Sequence, residues 1–268
     1  MRETRLLSGV EDTLYIPLFA RIYASERFPD FFYDEMALSL KPYIPADGLE
    51  QSANEYFSMA SVCRQKTIDG GIVSFLNENE QANVVFLGAG LETAYHRIGN
   101  STAHFYQVDL PDVIAVRSKV LGCAGNETLV AGDMFALAWM KEMDLSLPTL
   151  LVVSGVYQYF EEAKIVDMIQ NMKSAIPKGE LLFDATNSKG LKLANKYVRK
   201  TGNPDARMYF SVDNPQKLAE LTHTKLAGLS GFYGEALERC KGLRLLTRIY
   251  MYLADKMQRT MVIHLKLN

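Results

Sequence analysis

Short apolar runs alternate with amphipathic stretches from about residue 83 onwards. Each run ends at a glycine, an acid or a small polar residue, which is typical of a strand buried on both faces. Five strands are predicted in this way, at Val84–Leu87, His104–Asp109, Thr128–Ala131, Leu150–Val153 and Glu180–Asp184. Helical spacing from Ile165 to Ile176, ended by Pro177, predicts a helix between the last two. This alternation predicts a parallel sheet with helices on both faces.

The chain on either side of this region has a different pattern. Before it, Leu14, Leu18 and Ile22 share one face of a predicted helix, and ten aromatic side chains fall between residues 15 and 57. Prolines and a glycine predict a loop over Lys41–Gly48. After the fifth strand, we predict helices near Lys189–Lys200 and over Glu235–Lys256, followed by a terminal strand at Met261–Leu267.

Composition narrows the class of protein without naming an activity. The 268 residues carry 29 basic and 31 acidic side chains, a net charge of −2 that argues against binding nucleic acid through its phosphates. We expect no membrane span, because no apolar stretch approaches the roughly 20 residues required. Three scattered cysteines predict neither a disulfide framework nor a metal site, and the N-terminus lacks the apolar run of a signal peptide. We therefore expect a soluble, cytoplasmic protein.

The clearest local motif runs from Gly88 to Thr93 and lies between a predicted strand and a predicted helix that begins at Leu91. Glycines there allow a tight turn and a close approach of a ligand to the backbone. Asp109 ends the next strand, where a carboxylate can accept both hydroxyls of a ribose. The two features together favour a nucleoside-containing ligand over a turn that only shapes the chain.

Two residues of this motif bear on which nucleoside is bound. A dinucleotide site usually has Gly or Ala where this chain has Thr93. Glu92 adds a negative charge beside the helix N-terminus, which is unfavourable for a phosphate. S-adenosylmethionine carries no phosphate and has a sulfonium and an ammonium group, so the motif suits it better than NAD.

The motif segments resemble those of the leucine carboxyl methyltransferase family, which includes O-methyltransferases of the tetracenomycin type. The resemblance rests on residues 84–93 and 106–114, with further similarity at 64–69 and 154–160. It implies a class I methyltransferase: a doubly wound, Rossmann-like α/β fold with a seven-stranded, mostly parallel sheet and an antiparallel last strand. With it we read residues 1–268 as one domain, comprising a helical cap over 1–80 and a nucleoside-binding sheet over 81–268. An insert on the substrate side would span about 187–258.

The resemblance also implies the residues that bind S-adenosylmethionine. Arg64 would pair with the carboxylate of its methionine part, Gly88, Ala89 and Gly90 would pass beneath it, and Asp109 with Leu110 would hold the ribose. Asp133 would accept the adenine amino group, and Met134 would pack on the ring. Ser154 stands where the family usually has a glutamate, near the ammonium or the methyl group. Without the resemblance, Arg64 reads as a surface residue, Asp133 as a helix cap and Met134 as core.

The sequence says less about the methyl acceptor and about the catalytic residues. A carboxylate acceptor needs no general base, whereas a hydroxyl does, and Tyr157 and His223 are weak candidates for that role. We expect an O-methyltransferase acting on a small-molecule hydroxyl or a carboxylate. The alternatives are an NAD(P)-dependent oxidoreductase and a cofactor-binding protein without transfer activity, the latter suggested by Ser154. No metal, membrane or nucleic-acid partner is expected, and the oligomeric state is left open.

Overall fold

The protein contains a seven-stranded sheet with strand order β3-β2-β1-β4-β5-β7-β6 in the computed structural model, which describes residues 12–43, 54–99, 102–201 and 207–268. The strands are β1 Asn83–Leu87, β2 His104–Asp109, β3 Glu127–Ala131, β4 Thr149–Val153, β5 Gly179–Thr186, β6 Lys225–Ser230 and β7 Thr260–Lys266. Strands β1 to β5 pair in parallel, and β7 runs antiparallel between β5 and β6. The predicted fold class is therefore confirmed.

Helices connect these strands along the described part of the chain. Their bounds are α1 Asp12–Arg27, α2 Glu35–Leu40, α3 Glu55–Glu78, α4 Ala94–Ile98, α5 Pro111–Val120, α6 Glu162–Ala175, α7 Ser188–Thr201, α8 Pro215–Leu221, α9 Gly234–Arg239 and α10 Leu245–Lys256. Short 3-10 turns follow β3 and β4, at Met134–Ala136, Ala138–Glu142 and Tyr157–Tyr159. Asp34 caps α2 and Asn54 caps α3, each by accepting a backbone N–H of the first turn.

The sheet separates two apolar cores, which explains why its central strands read as continuous apolar runs. All residues of β1 and β4 are buried. Helices α1 and α3 pack on one face, and α6 packs on the other through Ile165, Met168, Ile169 and Met172. Helix α3 approaches the sheet closely at Gly71, where an added Cβ would lie 2.7 Å from Leu182. The carboxyl ends of β1 to β5 thus stand at one edge of a tightly packed layer.

Two helix predictions were wrong in their bounds. The single helix expected over residues 235–256 is divided into α9 and α10. The break is tertiary: Gly242 packs against Phe28, just beyond the end of α1, and the Arg244 N–H donates to Glu55 of α3 at 2.9 Å. The helix expected from Leu91 begins instead at Ala94. The predicted loop after Lys41 begins as a 3-10 turn, and its remainder lies outside the described residues.

Aromatic residues near the N-terminus divide between core and surface. Phe19, Phe28, Phe31 and Phe32 are buried, whereas Tyr33 and Phe57 are exposed. Four of the ten are therefore core, and Tyr15, Tyr23 and Tyr56 pack against the core while only partly buried. Across the described ranges, none of the helices has both the length and the apolar character required to cross a membrane.

Candidate functional site

Chemically active side chains lie along the carboxyl edge of the parallel strands. Strand order places Asp133 after β3, Asp109 at the end of β2, Gly88 after β1, Ser154 after β4 and Asp184 near the end of β5. Ligands of open α/β sheets bind at this edge, where the strand order reverses. From β3 to β4 the row spans three strand spacings of about 4.8 Å, or roughly 14 Å, enough for a nucleoside joined to a short chain.

The glycine turn between β1 and α4 has no space for larger residues at two positions. Gly88 has a φ of +73°, and a Cβ added there would lie 2.6 Å from Val156. Gly90 has a φ of +50°, and its added Cβ would lie 3.0 Å from Leu14. Both values of φ lie in the left-handed region that favours glycine. The turn therefore requires these two glycines for its conformation.

Buried arginines fix the carbonyl groups of the same turn. Arg117 on α5 donates to the Gly90 carbonyl at 3.2 Å and pairs with Glu127 of β3 at 2.8 Å. Arg21 on α1 donates to the Leu91 carbonyl at 2.7 Å. Because both guanidinium groups are almost fully buried, their positions are set by packing, and the turn is held rigid from two sides.

A buried ion-pair cluster of Arg21, Asp34, Asp69, Glu92 and Arg97 connects the turn to the N-terminal helices. Arg97 pairs with Asp69 through two contacts at 2.9 Å, with Glu92 at 2.8 Å and with Asp34 at 3.0 Å. Burial alone would raise the pKa of Glu92, but the Arg97 and Arg21 guanidinium groups outweigh it and hold this pKa at about 2.

The cluster changes the interpretation of Glu92. We expected its charge to act on a ligand at the helix N-terminus, but the carboxylate faces Arg97 and Arg21 and its side chain is only 10% exposed. Thr93 likewise donates its hydroxyl to Asp34 at 2.5 Å. Neither side chain therefore acts directly on a ligand, so the negative charge of Glu92 does not disfavour a phosphate there.

Backbone hydrogen bonds provide a better argument about the ligand. The N–H groups of Gly88 and Ala89 both donate to Val108, and that of Gly90 donates to Asp109. Those of Glu92 and Thr93 also donate within the turn. A pyrophosphate site needs N–H groups directed at the ligand, whereas these five are engaged within the protein. The turn before α4 thus offers few N–H donors to a phosphate.

Asp109 braces the turn and still has capacity for a ligand. Its two oxygens accept the N–H groups of Gly90 and Leu110, each at 2.7 Å. Burial raises the pKa of Asp109, and the two backbone hydrogen bonds oppose that rise. Each carboxylate oxygen has a second lone pair, so ribose hydroxyls can be accepted without breaking these bonds. Leu110 beside it is 52% exposed, and Ala89 in the turn is buried.

Arg64 of α3 lies at the same edge, next to the carboxyl ends of β4 and β5. Its guanidinium contacts the backbone of Gly155, where an added Cβ would lie 2.9 Å from Nη1. The nearest acid is Asp184 of β5, at 3.5 Å from Nη1, and Asp184 also accepts the Gly155 N–H at 2.5 Å. Arg64 Nε is buried and has no hydrogen-bond partner among the described residues. Arg64 is therefore not an ordinary surface residue, and Ser154 lies beside this pair.

After β3, Asp133 and Met134 have, in part, the structural roles that were the alternatives to cofactor binding: a helix cap and a core residue. Asp133 is exposed and caps the 3-10 turn by accepting the Phe135 N–H at 2.9 Å, which leaves its second oxygen for a ligand. Met134 is only 7% exposed and belongs to the core, so contact of its side chain with a ring is limited to a small surface. Phe135 is half-buried and packs on Phe160, and the centre of its ring lies 3.8 Å from Lys164 Nζ.

The two weak catalytic candidates are not brought together with these residues. Tyr157 is 1% exposed and packs against Phe183 and Phe210 in the core, where burial raises the pKa of its phenol. His223 is exposed and precedes β6 at the amino-terminal edge, because Lys225 pairs with Lys266 opposite the start of β5. This geometry supports neither side chain as a general base.

Asp184 and Gly155 were missed as site residues from the sequence. Asp184 ends the fifth predicted strand, so the rule that directed attention to Asp109 applied to it equally. Its neighbours across the sheet, Arg64 and Gly155, became apparent only from the strand register and the packing of α3.

The chain is similar in sequence to known methyltransferases. Residues 14–173, more than half of the chain, match the family model described as leucine carboxyl methyltransferase. The chain is 26% identical over 221 residues to the tetracenomycin polyketide synthesis O-methyltransferase TcmP of Streptomyces glaucescens, with 81% of each chain covered. It is 23% identical over 236 residues to the S-adenosyl-L-methionine-dependent methyltransferase dpfgK of Gibberella zeae, covering 79% of this chain and 78% of that one.

Solved structures share the fold at low identity. A duf574 family protein from Streptomyces avermitilis superposes with a TM-score of 0.56 and 13% identity, covering 92% of this chain and 96% of the other. The magnesium protoporphyrin IX methyltransferase of Synechocystis superposes with a TM-score of 0.52 and 13% identity, covering 85% and 98%. At such identities, the likeness extends to the sheet and its helices.

Proposed function

The chain belongs to the leucine carboxyl methyltransferase family, and we propose that it transfers a methyl group from S-adenosylmethionine to an oxygen atom of a small-molecule hydroxyl or a carboxylate. The dependence on S-adenosylmethionine follows from the family and from the relatives. An oxygen acceptor is supported by the relative TcmP, which is named an O-methyltransferase.

One observation carries the assignment of the cofactor site. A half-buried arginine, a glycine turn held by two buried arginines, and a strand-end carboxylate follow one another along a single sheet edge. These groups match, in order, an amino-acid carboxylate, a chain without phosphate and a ribose. We propose that Arg64, Gly88, Ala89, Gly90, Asp109, Leu110, Asp133, Met134 and Ser154 form this site.

When bound, S-adenosylmethionine would supply an electrophilic methyl carbon: an acceptor oxygen would attack this carbon in line with the sulfur, the C–S bond would break, and S-adenosylhomocysteine would leave. The protein's contribution is to hold the reactants in that line and to exclude water. Arg64 fixes one end and Asp109 the other, while Arg21 and Arg117 keep the turn between them rigid. The first 80 residues are proposed as a cap, and residues of about 187–258 as the insert that contacts the acceptor.

We propose that the acceptor oxygen is already ionised near neutral pH. His104 begins β2 and His223 precedes β6, so both lie at the opposite edge of the sheet. His264 of β7 pairs with Glu180, and the remaining histidine, His96, lies within α4. With Tyr157 buried in the core, this favours an acceptor that needs no base, such as a carboxylate or an acidic hydroxyl.

Calorimetric titration with S-adenosylhomocysteine and with NAD⁺ tests the cofactor assignment. We expect binding of S-adenosylhomocysteine, with affinity reduced about tenfold or more in Arg64→Ala and in Asp109→Ala. Asp167→Ala and Arg239→Ala, which replace exposed side chains on α6 and α9, are the matched controls. Binding of NAD⁺ without binding of S-adenosylhomocysteine would overturn the proposal, as would unchanged affinity in both site variants.

Turnover separates an enzyme from a binding protein without transfer activity. Incubation with S-adenosylmethionine and a panel of carboxylates, acidic phenols and neutral alcohols should release S-adenosylhomocysteine with members of the first two classes only. We also propose a cytoplasmic location, which the three free cysteines support. Fractionation of the source cells measures it directly.

A further inference from the structure

Asp184 is a carboxylate at the carboxyl edge of the sheet that its neighbours engage only in part. It lies on β5 one residue beyond Phe183, which pairs with Val153, so it stands across from Ser154. Its Oδ1 accepts the Gly155 N–H at 2.5 Å, and its Oδ2 lies 3.5 Å from Arg64 Nη1. A charge-assisted hydrogen bond between such groups is about 2.7–2.9 Å long, so the contact with Arg64 is loose.

The amino-acid part of S-adenosylmethionine is a zwitterion and needs a partner for each charge. Arg64 provides the positive partner. The negative partner cannot be Ser154, which follows β4 beside this pair and carries no charge. We propose that Asp184 on the neighbouring strand supplies this missing carboxylate and binds the cofactor's ammonium group. The inference rests on the proposed function, and it names a residue that determines specificity at that site.

Other acids along the edge are less suited to this role. Both oxygens of Asp109 brace the glycine turn, and Glu92 is paired with two arginines. Asp133 follows β3, three strands away from β4 in the sheet. Asp184 alone among these four acids lies within 4 Å of Arg64, and a zwitterionic head group requires its two partners close together.

The surroundings of Asp184 are closely packed. Asp184 is only 9% exposed, and Gly155, with a φ of +72°, lies so near the Arg64 guanidinium that an added Cβ would be 2.9 Å from Nη1. Ser154 is half-buried beside the pair. Arg64 Nε has no hydrogen-bond partner among the described residues, and Asp184 Oδ2 makes the loose contact with Arg64. Binding of the head group therefore separates Arg64 from Asp184 and exchanges their loose contact for two shorter ones, one with the carboxylate and one with the ammonium.

Three ligands separate binding of the ammonium from a merely structural role of Asp184. These are S-adenosylhomocysteine, its analogue without the α-amino group, and 5′-methylthioadenosine, which lacks the whole amino-acid part. We expect Asp184→Asn to weaken S-adenosylhomocysteine by about tenfold or more and the other two ligands by less than about twofold. The Asn oxygen can still accept the Gly155 N–H. Asp167→Asn is the matched control, and thermal unfolding shows whether each variant is folded.

Each outcome decides the proposal. An equal loss for the desamino analogue would mean that Asp184 only positions Arg64, and it would overturn the proposal. Recovery of affinity in the double variant Ser154→Glu/Asp184→Asn would support it. In the wild-type protein, a preference of less than about twofold for S-adenosylhomocysteine over the desamino analogue would refute it whether or not the variant folds. Absence of any S-adenosylhomocysteine binding by the wild type would instead overturn the proposed function itself.

Discussion

Replacing Glu92 by glutamine tests whether the buried ion-pair cluster holds the glycine turn in place. The Glu92 carboxylate accepts the Thr93 N–H at 2.7 Å and pairs with Arg97 at 2.8 Å and with Arg21 at 3.5 Å. Glutamine keeps the size and the acceptor oxygen but removes the charge. The substitution therefore measures the electrostatic contribution with little change in packing.

The magnitude follows from the pKa of this group. Its folded-state pKa is about 2 against an ordinary value of 4.5. A carboxylate whose pKa is lowered on folding stabilises the folded state above its unfolded-state pKa, and it loses this contribution as the pH falls towards its folded-state pKa. The difference corresponds to about 3 kcal/mol at neutral pH, of which about 1 kcal/mol is lost by about pH 3.5.

Urea unfolding followed by circular dichroism at both pH values measures the effect. We expect Glu92→Gln to lower the free energy of unfolding by about 3 kcal/mol at pH 7 and by about 2 kcal/mol at about pH 3.5. Burial raises the pKa of Asp69 in the same cluster, and comparing variant with wild type at each pH largely cancels that opposite contribution. Glu238→Gln, at an exposed position of α9, is the control. A loss below about 1 kcal/mol at pH 7, or one that grows in acid, would refute the reasoning.

Three further predictions, one of them with a matched control variant, test the assignments at the sheet edges. Gly88→Ala should lower the free energy of unfolding by about 1–3 kcal/mol, since its Cβ meets Val156 at a φ of +73°. Gly132→Ala, which meets no described atom within 4 Å, should be neutral by the same urea measurement. Tyr157→Phe should leave the affinity for S-adenosylhomocysteine unchanged. It should raise the melting temperature or leave it unchanged, because the buried hydroxyl has no described partner. A tenfold loss of affinity would instead place Tyr157 at the cofactor site. His223→Asn should also leave that affinity unchanged, and a measurable loss would contradict its place at the opposite edge.

Burial explains which strands could be predicted from the sequence. Strands β1 and β4 lie in the centre of the sheet and are covered on both faces, so their residues are apolar without interruption. Strand β6 was not apparent from the pattern. It pairs only with β7, most of its residues are exposed or half-buried, and it contains a bulge near Gly228. An exposed edge strand has no apolar run, and only the family resemblance implied a seventh strand.

The predicted helix boundaries were wrong where contacts with distant parts of the chain override the local pattern. Helical spacing continues through residues 235–256, but Glu55 of α3 accepts the N–H of Arg244 and helps to begin a second helix there. The helix after the glycine turn begins late because Arg21 holds the Leu91 carbonyl. Neither partner lies near these positions in the chain, so no local pattern contains the information.

The candidate site shows the same division between local and distant information. The family resemblance implied Asp133, whereas a rule about strand ends identified Asp109 and applied equally to Asp184. It could not say which carboxylates remain available to a ligand, because that depends on partners from other parts of the chain. Glu92 is neutralised by Arg97 of the helix that follows it and by Arg21 of the distant α1, whereas Asp184 meets Arg64 of α3 at 3.5 Å. The charge available at this edge is therefore set by which arginines α1, α3 and α4 bring to it, and the loose contact of Asp184 with Arg64 is the observation from which its proposed role follows.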